Sequence, residues 1–454
     1  MSPPESVQKA WDYAQNHESK FENELIDLVS QPSISALGIG LKECAEIVRS
    51  TMASLGFEAR LVNVPDAPDV VYGELKGGKD AKTLVIYNHY DVQPVEPLDE
   101  WSSEPFKPVV KDGKMYGRGV GDDKGEIVSR FSAIESLLQS GGSVKPNIKW
   151  IVEGEEEVGS PHFHNFVLKH KEMLKGDGCL WEEGDRSASG VLEIELGVKG
   201  LLYVEYKVKV GAKDQHSMYG PIAPNPAWRL VNLMKTIKDE EDRILIDGFY
   251  EGVKKPTIEE KKYLKRNKFS TKELIKALQI DYLYEGKNDV DTITKLLYNP
   301  SANIAGFGSG YLGQGSKTIV PKEAFAKMDF RLVADMRADD ILAKLQRHLR
   351  KHKFTDVELI VHSKEDPAKT SVNSYIAQTM IECAKMVEGS EPNVWPTSAG
   401  TGPLSLFTNK LNLPTAMGLG VNYPGAGFHA PNEHIVLDYY HKAIKQLICL
   451  FSTF

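Results

Sequence analysis

The amino-acid sequence predicts an α/β protein: a domain with a largely parallel central sheet flanked by helices, interrupted by a smaller inserted α+β domain. Three observations carry this expectation. Strand-like and helical segments alternate up to about residue 198. From residue 199 apolar residues begin to alternate with polar ones, the mark of strands with one wet face. Beyond residue 364 the chain returns to helical periodicity. The first domain therefore comprises 1–198 and 365–454, and the insertion 199–364. Two domains also suit a chain of 454 residues, which is too long for one ordinary core.

In chain order, Ala10, Ala14, Phe21, Leu25, Ile26 and Leu28 recur near helical spacing, so the opening of the chain reads as helix. A second helix, "GLKECAEIVRSTMASLG", stops at Gly56. "EARLVNV" and "DVVYGEL" read as strands and "TLVIYNHY" as a buried one. "GEIVSRFSAIESLLQSGG" is an amphipathic helix ending at paired glycines, and "NIKWIVEG" is another buried strand. "SPHFHNFVLKHKEML" follows as helix and "GDGCLWE" as strand. In the insertion, "GLLYVEYKVKV", "AFAKMDFRLVAD" and "DVELIVHS" are strands, and "ADDILAKLQRHLRKHK" is a helix. The Lys-rich stretch from about Asp239 to Lys295 reads as helices on an exposed surface. The helices "SYIAQTMIECAKMVEG" and "LDYYHKAIKQLICLF" close the chain.

Composition narrows the function. The chain is 41% hydrophobic and 26% charged, as in soluble globular proteins. A net charge of −8 argues against nucleic acid or anionic lipid as the main partner. Cys44, Cys179, Cys383 and Cys449 are far apart and form no CxxC pair, which suggests reduced, structural thiols. The opening residues have neither a basic nor an apolar signal region, and no apolar run reaches membrane-spanning length. A cytoplasmic protein is expected.

Candidate chemistry gathers where strands end. "NHYDVQP" (His89, Asp91), "YGRGVGDDKG" (Asp122, Asp123), "EGEEEVGS" (Glu153 to Glu157) and "LWEEGD" (Glu182, Glu183) each follow a predicted strand, and "GAGFHAPNEH" (His429, Glu433, His434) precedes the last helix. Alone, each has an ordinary reading: a structural histidine, an N-cap pair, a solvated acidic face. Together, two histidines and three carboxylate positions form an N/O ligand set that suits Zn²⁺, Mn²⁺ or Co²⁺. Five ligands exceed the usual three of one catalytic zinc but fit two metals sharing a bridging carboxylate. Such metals, ~3.5–4 Å apart, polarise a carbonyl and activate water together. Competing motifs are weak. "GSGYLG" (Gly308 to Gly313) leads into a strand-like segment instead of the helix a dinucleotide site requires. There is no HExxH and no GxSxG.

On "HYDVQP", "YGRGVGDDKG", "EGEEEVGS" and "HAPNE", the sequence resembles the M20 family of dinuclear metallopeptidases, most of all its dipeptidase and carnosinase branch, from about residue 20 onward. The resemblance implies that His89 ligates one metal, with Asp91 holding its imidazole, and that Asp122 bridges both. It makes Glu156 the general base and Glu157 a ligand. Glu182 would complete the first metal site, with Glu183 as the alternative, and His429 the second. Arg331 would grip the substrate carboxylate near Gly400 and Thr401. His216 resembles a histidine that reaches the partner subunit's site in dimeric relatives and stabilises the oxyanion.

The insertion would then be a lid that also serves dimerisation. The implied activity is hydrolysis of dipeptides or short peptides, as a dipeptidase or carboxypeptidase, with two divalent ions, zinc before manganese or cobalt. The partners implied are a short peptide substrate and a second copy of the chain. The alternative within the same chemistry is an N-acyl amino acid deacylase.

Overall fold

The structure, a computed structural model, describes residues 3–284 and 288–454. Its larger sheet has six strands in the order Glu58–Val62, Val70–Leu75, Asn147–Glu153, Thr83–His89, Gly178–Leu180 and Thr415–Ala416. The last four run parallel to one another. At the other edge, Val70–Leu75 is antiparallel to both strands beside it. Connection decides this split. Parallel neighbours need a crossover, which the helix Lys124–Gln139 supplies between Thr83–His89 and Asn147–Glu153. The edge pair is joined by a short loop. Leu84, Val85, Ile86 and Tyr87 are all fully buried, as expected for a central strand covered on both faces.

The helix Lys124–Gln139 departs from the amphipathic expectation. Every residue from Lys124 to Ile134 is buried. The N-terminal helices Glu5–Asn16 and Glu18–Ser30 and the last helix, Leu437–Thr453, pack on it from outside the sheet. Its serines fit that burial because their hydroxyls bond back along the helix: Ser132 to the Val128 carbonyl at 2.8 Å and Ser136 to the Ser132 carbonyl at 2.7 Å. The other sheet face packs Tyr72, Val85, Tyr87 and Ile151 against Phe163, Phe166 and Phe407.

The second sheet is antiparallel throughout, ordered Ser301–Ser309, Glu323–Leu332, Gly200–Lys209 and Glu358–Glu365. Alternate residues Ala324, Ala326, Met328, Phe330 and Leu332 point into a separate core. The helices Pro226–Ile237 and Ala338–Lys351 pack on it, and Leu202, Val204 and Tyr206 of the neighbouring strand share that core. The edge strand Ser301–Ser309 was not expected from sequence. It carries Gly306 and Gly308, bulges between Ile304 and Gly306, and is held in place by its neighbour rather than by its own composition.

The Lys-rich stretch forms the helices Ile258–Arg266, Thr271–Leu278 and Asp289–Tyr298, with residues 285–287 outside the described set. It is not simply a solvated surface. Leu264, Ile293, Leu297 and Tyr298 enclose Trp395 of the 365–454 segment. The Asn267 amide also pairs with both backbone groups of Val394, donating to its carbonyl at 2.6 Å and accepting its N–H at 2.9 Å. The stretch therefore straps the smaller sheet's chain to the larger domain. All four cysteines are free and buried. "GSGYLG" leads to the two-residue strand Ile319–Val320, not a helix. Among the described residues no helix is long and apolar enough to cross a membrane.

Candidate metal centre

Parallel strands end together, so their loops meet at one edge of the sheet, where open α/β sheets bind ligands. His89 ends the central strand, Glu153 ends its neighbour, and Glu182 lies two residues beyond Gly178–Leu180. Arg130, buried in the helix below, ties these ends together. It donates to the Tyr87 carbonyl at 3.2 Å, to the Trp181 and Glu182 carbonyls at 2.8 and 2.7 Å, and to Asn88 Oδ1. Gly154 follows because a side chain there would stand 2.3 Å from the Tyr90 ring.

Two ligand clusters result. His89, Asp123 and Glu182 offer donor atoms within 4.8 Å of one another, and so do Asp122, Glu157 and His429. Asp122 joins them: Oδ1 lies 2.9 Å from His89 Nε2 and Oδ2 lies 3.2 Å from His429 Nε2. Burial opposes its charge, but the bonds to His429 and His89 hold the Asp122 carboxyl below the usual carboxylate range. Hydrogen bonds to Asp122 and Glu157 push His429 up to about 10. His429 itself adopts a left-handed backbone (φ 59°), which costs a non-glycine residue roughly 1–2 kcal/mol.

Asp123 was not among the expected ligands. The Asp122–Asp123 peptide is cis. Asp123 Oδ2 accepts from Asn88 Nδ2 at 2.7 Å and from the His89 N–H at 3.0 Å. Its Oδ1, like Glu182 Oε2, is buried with no hydrogen-bond donor among the described residues. Burial raises the pKa of Glu182 and Glu183, and the charge of nearby carboxylates adds to it. Buried, mutually repelling carboxylates with free oxygens, facing imidazole nitrogens, fit hard or borderline divalent cations. Glu182, not Glu183, belongs to the His89 cluster; Trp181 Nε1 donates to Glu182 Oε1 at 3.0 Å.

Asp91 sits differently from the expected imidazole partner. The atom nearest His89 Nδ1 is its backbone carbonyl at 3.0 Å, with the carboxylate at 3.4 Å. That carboxylate accepts the backbone N–H groups of Glu156 and Glu157 at 3.2 and 3.1 Å. Asp91 therefore orients the ring through its main chain and the acidic turn through its side chain. Burial raises the pKa of Glu156, whose backbone this bond anchors beside the clusters.

Gln93 and Arg118 are not singled out by the sequence, and Glu433 is named there without a role, although all three lie in or beside the quoted motifs. Gln93 donates from its backbone to Glu157 Oε1 at 3.1 Å and from its amide to Oε2 at 2.8 Å. Glu433 pairs with buried Arg118 at 2.7 Å. Glu433 also accepts the N–H groups of Gly119, Gly121 and Asp122 at 3.0, 3.0 and 3.2 Å. The turn that carries Asp122 is thus wrapped around one carboxylate. Gln93→Ala is expected to weaken metal binding at the His429 cluster about 10- to 100-fold without unfolding the chain, read by metal titration of the purified protein. Unchanged affinity would show that Glu157 needs no such support.

The remaining expected residues divide. Arg331, on the second sheet, donates from Nη1 to Thr401 Oγ1 at 2.6 Å, and the Gly400 carbonyl accepts from the Lys199 N–H at 2.8 Å. His216 belongs to neither cluster. It stands exposed on the two-stranded antiparallel ladder of Gln215–His216 with Ile319–Val320, its Nδ1 accepting the Met218 N–H at 3.1 Å.

The sequence pattern of peptidase family M20/M25/M40 matches residues 85–452. The Cys-Gly metallodipeptidase DUG1 of Saccharomyces cerevisiae is 29% identical over 414 residues, covering 87% of this chain and 84% of that protein. The Beta-Ala-His dipeptidase of Homo sapiens is 28% identical over 371 residues, covering 76% and 72%. Among solved structures, the M20 family metallo-carboxypeptidase Sso-CP2 from Sulfolobus solfataricus superposes with a TM-score of 0.85 at 40% identity, covering 95% of this chain and 98% of that one. Human carnosine dipeptidase 1 gives 0.77 at 25% identity, with 99% of each chain covered.

Proposed function

Because the chain belongs to peptidase family M20/M25/M40, a metallopeptidase family, we propose that it hydrolyses dipeptides or removes C-terminal residues from short peptides. One observation carries this reading: a single carboxylate, Asp122, joins two ligand clusters that have a spare glutamate, Glu156, beside them. Two divalent ions held there, one by His89, Glu182 and Asp122 and one by Glu157, His429 and Asp122, would polarise the scissile carbonyl and acidify a water. Asp123 supports the first site with an additional oxygen. Zinc suits the donors, and manganese or cobalt share them.

The chain's own residues do the rest. Glu156 takes a proton from the attacking water and returns it to the leaving amine. The Arg331 guanidinium, with Thr401 and the Gly400 turn, receives the C-terminal carboxylate, for which its planar fork is suited. The 199–364 segment acts as a lid, and the Arg331–Thr401 contact between the domains supports this role. Dimerisation through that segment would carry His216 of one copy toward the other's site, to stabilise the oxyanion. The exposed apolar residues beside it, Met218 at 66% and Ile222 at 83%, support such a surface. Four buried, free thiols support a reducing cytoplasm.

The test is chelated enzyme given back Zn²⁺, Mn²⁺ or Co²⁺, assayed on a dipeptide panel and one N-acetyl amino acid. Metal-dependent cleavage of dipeptides is expected. Turnover of the acyl compound alone would move the reaction to deacylation, which the named relatives do not favour. No turnover with any metal would overturn the reading.

A further inference from the structure

A buried cation between the two domains has no part in the mechanism above. Lys199 is only 5% exposed. Its ammonium donates to the Asn299 carbonyl at 2.7 Å, and among the described residues no carboxylate lies within 4.0 Å of it. The charge that acts on it is a second cation. Burial and then the Arg331 guanidinium push the Lys199 ammonium down to about 8. Arg331 is no better neutralised: its Nε is 4.0 Å from Asp329 Oδ2, and its Nη1 bonds to the neutral Thr401 hydroxyl.

Connectivity brings these groups together. Arg331 pairs across the sheet with Leu201 on one side and Ser301 on the other. Lys199 and Asn299 each precede those partners by two residues. The Lys199 backbone also bonds the Gly400 carbonyl, so one residue touches the substrate-facing loop and carries a charge beside Arg331.

Burying an ammonium beside another cation without a counter-charge is strongly unfavourable, and an apolar side chain of similar length would avoid it. Among the described residues only one acceptor, the Asn299 carbonyl, serves the three ammonium protons. Two cations so poorly compensated are complementary to an anion. We propose that Lys199 is a second cation of the substrate-carboxylate pocket, acting with Arg331 on the free C-terminal carboxylate of the peptide. The proposal rests on the peptidase reading and deepens it: Arg331 orients the carboxylate through its planar fork, while Lys199 adds a point charge held by the strap that ends at Asn299. Peptides with a free C-terminus are then strongly preferred over their amides.

The experiment compares one dipeptide and its C-terminal amide on metal-loaded wild type, Lys199→Met and Lys199→Arg. In Lys199→Met, KM for the free acid is expected to rise about 10- to 100-fold with kcat within about twofold, because a charge-assisted contact is lost. KM for the amide should not move, so the acid-over-amide preference collapses. Lys199→Arg should restore most of it. Should Lys199→Met not fold, Lys199→Gln keeps an N–H donor for Asn299 without the charge and is read the same way. Equal losses on acid and amide, or no change in KM for the acid, would overturn the proposal while leaving the peptidase reading intact. Wild type that cleaves neither compound would remove both.

Discussion

Glu156→Gln is expected to lower kcat by a factor of about 10²–10⁴, the usual contribution of a positioned general base, while both metal sites still fill. Gln has the shape of Glu and cannot take a proton. The backbone N–H of residue 156 stays bonded to Asp91, so the turn carrying Glu157 keeps its place. No ligand of either cluster is altered. Steady-state kinetics with metal analysis of the same sample check this. Near-normal kcat would move the base elsewhere, and Glu183 is the next carboxylate, since it senses the charges of Asp122 and Glu156. Loss of metal together with loss of rate would make Glu156 a ligand instead.

Glu433→Ala should be the most destabilising single change at the site, by about 3–5 kcal/mol, since it breaks a buried ion pair from one side. Arg118 is 1% exposed and would lose its only close carboxylate among the described residues. The N–H groups of Gly119, Gly121 and Asp122 would lose their acceptor as well. Asp122 would then be poorly placed, so metal content should fall along with the urea midpoint. Adding Arg118→Met to Glu433→Ala should recover part of the loss. It removes the orphaned charge, but leaves the three backbone donors unpaired. A Glu433→Ala protein with wild-type stability would mean that solvent reaches Arg118 and replaces the pair.

Much of the site was legible because ligand chemistry is written in short local patterns. His89, Asp122, Glu157 and His429 each sit in a motif with its own residue types, and the structure brings them together. What was not legible involves long-range partners. Gln93 is an ordinary polar residue in sequence and Glu433 only a member of its motif; their roles come from Glu157 and the Gly119–Asp122 turn, distant in the chain. Asp123 reads in sequence as a capping residue, and its place beside His89 and Glu182 is set by the tertiary structure. Asp91 lies beside the His89 ring, and which of its atoms meets the imidazole depends on how the loop closes.

By itself the sequence determined the two patterns of hydrophobic alternation, and hence which strands are covered on both faces and which on one, because side-chain burial follows period directly. It also determined the donor chemistry of the centre. Only the tertiary structure decided three matters. The helices Ile258–Arg266 and Asp289–Tyr298 turned back onto Trp395, because their apolar residues found a surface from another part of the chain. The strand Ser301–Ser309 formed because Glu323–Leu332 offered it an edge. Lys199 became a buried cation beside Arg331 because three chain segments converge there. In each case the deciding partner is far away in sequence, and no local pattern encodes it.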